Sequence, residues 1–220
     1  MNRSSKVRRI LSMHPAHQTL GVSGTGAVFH PYCPIDGPAT ETIRVLLASH
    51  PSDSGASAAL AALEPIVRRQ LDMECERMDF DAVAGVGNGL PNVDCKVVFV
   101  RGLHVLGRGA DFDAENLAED CPNVLEGPSA ELEISVAAPW HPVLDRVGAF
   151  VARAVPRRFG RVPEDATCLL VGKTSGGAHP VAWAREFQGR MFHTLLGARE
   201  DFHRPDFVQL VLNAIEWAGS

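Results

Sequence analysis

The chain has 220 residues, 45% of them hydrophobic and 21% charged, a profile that fits a globular domain. A chain of this length buries about 70% of the surface its unfolded form exposes, so a core needs neither disulfides nor metal. Twenty-one basic against twenty-six acidic residues leave a net charge of −5, which argues against a nucleic-acid partner requiring a basic face.

Met1 to Leu11 carries Arg3, Lys6, Arg8 and Arg9 with no apolar stretch behind them, so a secretory signal is not expected. No apolar run reaches the roughly 18 residues of a membrane helix, and no membrane partner is expected. Residues 1–41 hold GVSGTG and HPYCPIDGPATET, rich in Gly, Pro, Ser and Thr, and read as a disordered or loosely ordered tail before a domain over 42–220. A basic, acid-poor start also suits a targeting segment, and the tail is the preferred reading. The five cysteines (Cys33, Cys75, Cys95, Cys121, Cys168) are odd in number and form no CxxC pair. They read as reduced thiols in a cytoplasmic protein, with no structural metal.

From Ile43 the pattern becomes regular. IRVLLASH (43–50) is a continuous apolar run of strand length, the kind buried on both faces. ASAALAALEPIVRRQL then repeats Leu60, Leu63, Val67 and Leu71 at helical spacing, with Ser54 or Ser57 as the cap and Pro65 predicting a kink or a short second helix. MECERMDF (73–80) alternates like a strand, and KVVFVRG (96–102) is a second buried-type strand. Together they predict a βαβ start with a parallel sheet and right-handed crossover. ELEISVAA (131–138), TCLLVGK (167–173), VAWARE (181–186) and RMFHTLL (190–196) read as further strands, with a hairpin turn at Gln188-Gly189. The closing RPDFVQLVLNAIEWAG reads as a helix entered through Pro205, with a Phe207, Val211, Ala214, Ala218 stripe and a stop at Gly219.

VGKTSGG (171–177) has Thr167 where a phosphate-binding loop needs its first glycine, so it reads as a glycine-rich turn. His14 and His17, three apart in the tail, lack a third ligand nearby, and His193 reads as a packed strand histidine. No Gly-x-Ser-x-Gly or Gly-x-Cys-x-Gly elbow occurs. PWHPVLDRVGAF (139–150) sets His141 before a proline and Asp145 four residues on. Gly197 to His203 is a polar loop after a strand, where open α/β sheets place ligands. The plain alternative is a solvated loop in which Asp201 or Asp206 caps the last helix.

His141-Pro142-Val143, Pro180-Val181-Ala182-Trp183-Ala184-Arg185, Gly189-Arg190-Met191-Phe192-His193-Thr194-Leu195-Leu196-Gly197, Asp201-Phe202, Pro205-Asp206-Phe207 and Asn213-Ala214-Ile215-Glu216-Trp217-Ala218 occur in this order. Together they resemble the trehalose-utilisation (ThuA-like) family of the class I glutamine-amidotransferase-like superfamily. The resemblance is firm after residue 139 and loose over 43–138. It implies a three-layer α/β fold, a flavodoxin-like or amidotransferase-like sheet with helices on both faces. Two departures stand out. Ala198 replaces the histidine of the family's Leu-Gly-His, and Leu103 to Asp113 is too short for the usual helix plus strand, so one central strand-helix unit is expected to be missing or replaced.

The resemblance implies utilisation of trehalose or related, including oxidised, disaccharides, with a small carbohydrate as partner and no cofactor. In the enzymatic version His141 or His203 acts as general base and Asp201 orients a sugar hydroxyl. Trp183 stacks on a pyranose ring, and Arg185 and Glu200 complete the substrate contacts. The competing version is a non-catalytic sugar-binding or accessory protein on a degenerate amidotransferase-like shell. Enzyme status and homo-oligomerisation are left open at this level.

Overall fold

The computed structural model describes residues 43–49, 53–79, 93–99, 102–110, 130–154, 162–174, 177–186 and 189–220. The expected tail over 1–41, with His14, His17 and Cys33, lies outside them, as does Cys121. Among the described residues no helix is long and apolar enough to cross a membrane.

The elements run β1 (Arg44–Ser49), α1 (Ser54–Leu71), β2 (Glu74–Asp79), β3 (Cys95–Phe99), β4 (Leu103–Gly107), β5 (Ala130–Val136), β6 (Phe150–Ala154), β7 (Thr167–Thr174), β8 (Gly177–Glu186), β9 (Arg190–Thr194) and α2 (Pro205–Gly219). The described strands form one sheet in the order β2-β1-β3-β4-β9-β8-β7-β5-β6. The protein is a mixed α/β fold with a large central sheet and few helices.

The βαβ start forms as the apolar patterning dictates. β1 pairs in parallel with both β2 and β3. α1 turns Ala59, Leu60, Leu63 and Val67 onto the sheet, and Asp53, rather than a serine, caps it by accepting the Ala56 N–H at 2.8 Å. The helix runs through Pro65 as one element. α2 brings Phe207, Leu210, Val211 and Ile215 onto the same side. These meet Val45, Leu47, Val97, Val105 and Phe192, which point to one sheet face by the two-residue period of strands. Leu46, Ala48, Val98, Leu106 and Met191 point to the other face. Both described helices thus pack on one face, where helices on both faces were expected.

The parallel arrangement stops at β3. Only residues 100–102 separate β3 from β4, far fewer than the dozen or so a parallel crossover needs, so the chain must return as an antiparallel neighbour. Of the two expected outcomes, missing or replaced, the place is filled: a strand of reversed sense stands there, with no room for a helical crossover between β3 and β4. β4 then pairs antiparallel with β9, and β9-β8-β7-β5-β6 continue as antiparallel ladders. VGKTSGG lies at the β7–β8 hairpin, where Thr174 pairs with Gly177, a geometry unlike a strand-to-helix phosphate loop. Gly107 lets β4 approach α2: a Cβ there would sit 2.2 Å from the Ala218 carbonyl oxygen.

Candidate functional site

Strand register places one row of residues straight across the middle of the sheet: Ala48, Val98, His104, His193, Trp183 and Cys168, on β1, β3, β4, β9, β8 and β7. Directly opposed residues share a face, here the one away from α1 and α2. The row lies near the carboxyl ends of β1, β3 and β9, the end at which α/β sheets hold ligands.

At its centre His104 Nδ1 lies 2.7 Å from His193 Nδ1, with the rings 4.8 Å apart at 74°. One nitrogen must carry the proton and the other the lone pair, since two N–H groups cannot face each other at that distance. The rings are 6% and 4% exposed. His193 stacks on Trp183 with centroids 5.7 Å apart and planes at 15°. Burial first, then the His104 ring and the Arg185 charge, hold His193 well below its ordinary pKa, so it is neutral near pH 7. Arg185 is fixed by Asp165, whose Oδ2 accepts from Nε at 3.1 Å and from Nη2 at 2.8 Å.

Of the residues expected from the sequence, Trp183 and Arg185 belong to this cluster. Trp183 has one face on His193 and is buried, so it does not present that face to a sugar. His141 lies elsewhere, beside the carboxyl end of β8 and the start of β9. Its Nδ1 accepts the Val143 N–H at 3.3 Å, which leaves the ring proton on Nε2 and makes the side chain a donor in its neutral form. Burial lowers its pKa, with Glu186 opposing.

Asp201, Glu200 and His203 form a third group, in the short 3-10 turn Arg199–His203. Asp201 is 0% exposed. Its Oδ2 accepts the N–H groups of Gly197 and Ala198 at 3.0 and 3.1 Å, fixing the loop after β9. Arg204 Nε stands 3.9 Å from Oδ1, an ion pair too long for a hydrogen bond. Glu200 and His203 are exposed. Asp206 accepts from Gly148 N at 3.1 Å and does not cap α2. The sequence-expected residues thus occupy three places, not one pocket.

His104 is the functional candidate that sequence reasoning misses. Its only signal is a ring at the alternate position of Leu103-His104-Val105-Leu106, and that signal needs β4 recognised as a strand. Among the described residues no group of three or more His, Cys, Asp or Glu converges as a metal site.

The trehalose-utilisation (ThuA) family model matches residues 102–218, over half of the chain. A solved structure of a protein described as ThuA-like, from Parabacteroides merdae ATCC 43184, superposes with a TM-score of 0.57. The two share 13% identity, and the match covers 82% of this chain and 91% of that one. That likeness concerns the fold. No curated protein matches the chain. With its nine-strand sheet similar to that structure, and its family match spanning β4 to α2, the chain belongs to the ThuA, trehalose-utilisation family.

Proposed function

We propose that the protein processes trehalose or a related disaccharide, including oxidised forms, and that the acid–base group is His193 backed by His104. The observation that carries this reading is the 2.7 Å Nδ1–Nδ1 contact near the carboxyl end of the central strands. If His193 donates its Nδ1–H to His104, its lone pair sits on Nε2, to which no described group bonds. A neutral imidazole so held can take a proton from a sugar and return it, while the neighbouring positive charge of Arg185 steadies an oxyanion. The partner is a small carbohydrate, in a cytoplasmic setting.

The test is disaccharide consumption, followed by chromatography, by wild type and His193→Gln. Consumption by wild type that falls at least a hundredfold in the variant supports the reading, and equal rates or no consumption sink it. A second reading, sugar binding without turnover on an amidotransferase-like shell, is favoured by Ala198 at the family's histidine position and by the burial of the pair. Binding without consumption selects it.

A further inference from the structure

A second feature lies at the opposite end of β9 and on the other face of the sheet. Arg190 opens β9 and pairs with Glu186, which closes β8. By strand alternation both share the face of Phe192 and α2, whereas His193 points the other way. There a cleft of about 670 Å³ is lined by Trp140, His141, Glu186, Arg190, Glu216 and Trp217. That volume falls within the range of about 300–1,000 Å³ usual for small-molecule sites.

Its walls are held in place. Asn213 Nδ2 donates to the carbonyl oxygens of Val143 and Asp145 at 3.0 and 2.8 Å, tying the turn that carries His141 to α2. His141 packs edge-on against Trp217, centroids 5.1 Å apart. The Arg190 guanidinium lies 5.5 Å over the Trp217 ring and donates to the Trp217 carbonyl oxygen at 2.7 Å. Beside this fixed wall Trp140 is 72% exposed, its ring 5.8 Å from His141. An indole normally buries its large apolar body, so one presented to water at the mouth of a cleft leaves a flat apolar platform unused by the fold. Glu186 and Glu216 are exposed, and their side chains make no hydrogen bond or ion pair with described residues. The cleft therefore combines one flat apolar surface, two acceptor carboxylates and a donor imidazole, with the guanidinium groups of Arg146 and Arg190 also in its lining.

A pyranose has the matching anatomy, an apolar C–H face and a rim of hydroxyls that each donate and accept. A nucleotide or other anion matches less well, because the carboxylates of Asp145, Glu186 and Glu216 outnumber the guanidinium groups of Arg146 and Arg190 in the lining. We propose that this cleft is a carbohydrate-binding subsite, with Trp140 under the C–H face of one pyranose and Glu186, Glu216 and His141 Nε2 on its hydroxyls. It shares with the proposed function only the class of ligand, since it stands apart from the histidine pair.

The test is calorimetric titration of the full chain with trehalose, maltose and glucose, on wild type, Trp140→Ala and His193→Gln. Trp140 is exposed, so its removal should leave the melting temperature unchanged, which thermal unfolding verifies. Saturable binding that weakens at least tenfold in Trp140→Ala and persists in His193→Gln is the expected result. Equal affinity in wild type and Trp140→Ala, or no binding of any of the three sugars, overturns the subsite. If Trp140→Ala misfolds, Glu186→Gln with Glu216→Gln serves in its place under the same criteria. Disaccharide consumption, measured in parallel, reports on the proposed function separately: turnover with an unaffected Trp140→Ala sinks only the subsite, and binding without turnover sinks only the catalytic reading.

Discussion

His104 and His193 meet Nδ1 to Nδ1 across the β4–β9 ladder, 2.7 Å apart, so only one of the two facing nitrogens can carry a proton. In the proposed reading His104 is a positioning residue, since by accepting the His193 Nδ1–H it would leave the lone pair on His193 Nε2. His104→Asn, which keeps a polar partner of smaller size, should lower disaccharide turnover less than His193→Gln does. The latter should cost roughly two to four orders of magnitude in kcat, the usual yield of general acid–base catalysis. An equal loss in kcat/KM carried by a rise in KM, with kcat unchanged, would assign the pair to binding.

Stability should fall on acidification earlier than carboxylates alone would cause. His193 and His141 both have pKa values lowered by burial, so the unfolded chain takes up protons near pH 6.5 that the folded chain refuses. Their contribution is fully present above about pH 6.5 and is lost as pH falls through the folded values, by about 1.4 kcal/mol for each unit of depression. Urea unfolding between pH 7.5 and pH 5 measures this. His193→Gln should flatten part of the slope, and an unchanged slope would contradict the burial of a neutral ring.

Asp201 is expected to matter for folding. Asp201→Ala leaves the Gly197 and Ala198 N–H groups without their acceptor and strands Arg204. At about 1–3 kcal/mol per unmet buried group, the loss should be roughly 2–4 kcal/mol in thermal or denaturant unfolding. Sugar turnover per folded molecule should change little. A stable but inactive Asp201→Ala would instead place this carboxylate in the chemistry.

Cys95 is fully buried, and burial first, helped by Asp94, pushes its thiol up to about 12. The thiolate is the reactive form, so Cys95 should resist alkylation in the native protein at pH 8 and react on unfolding. Peptide mapping after iodoacetamide treatment reads this out. Labelling of Cys95 without denaturant would show that the sheet opens locally.

Where local pattern decides structure, the sequence was readable. The Leu60, Leu63, Val67 stripe can be buried only by a helix, and IRVLLASH only by a central strand, so β1, α1, β2 and β3 follow from periodicity. The Phe207–Ala218 stripe of α2 is equally direct. β4 was not legible, because one ring among five residues is too little alternation to mark a strand and its partner β9 lies far along the chain. β6 was hidden likewise, its Phe150–Ala154 segment gaining order only from pairing with β5. The candidate site suffers from the same gap. Trp183 and Arg185 stand in a recognisable motif, but the ring that gives His193 its role sits on the strand that pattern alone does not reveal. Asp201 illustrates the converse: a polar residue after a strand looks like chemistry until its two backbone N–H partners are seen.

The reversed β4 also divides the sheet by origin. β2-β1-β3-β4 come from residues before 108, and β9-β8-β7-β5-β6 from residues after 129, so among the described residues the β4–β9 ladder is the one strand pairing between the two halves. The β3–β4, β7–β8 and β8–β9 ladders close short loops, whereas the histidines that meet at the seam are 89 residues apart. Such a distant contact is entropically the costliest to form and should come late in folding. Each half contributes one imidazole, so a chain with both halves formed but the seam still open would have native-like strands and no histidine pair.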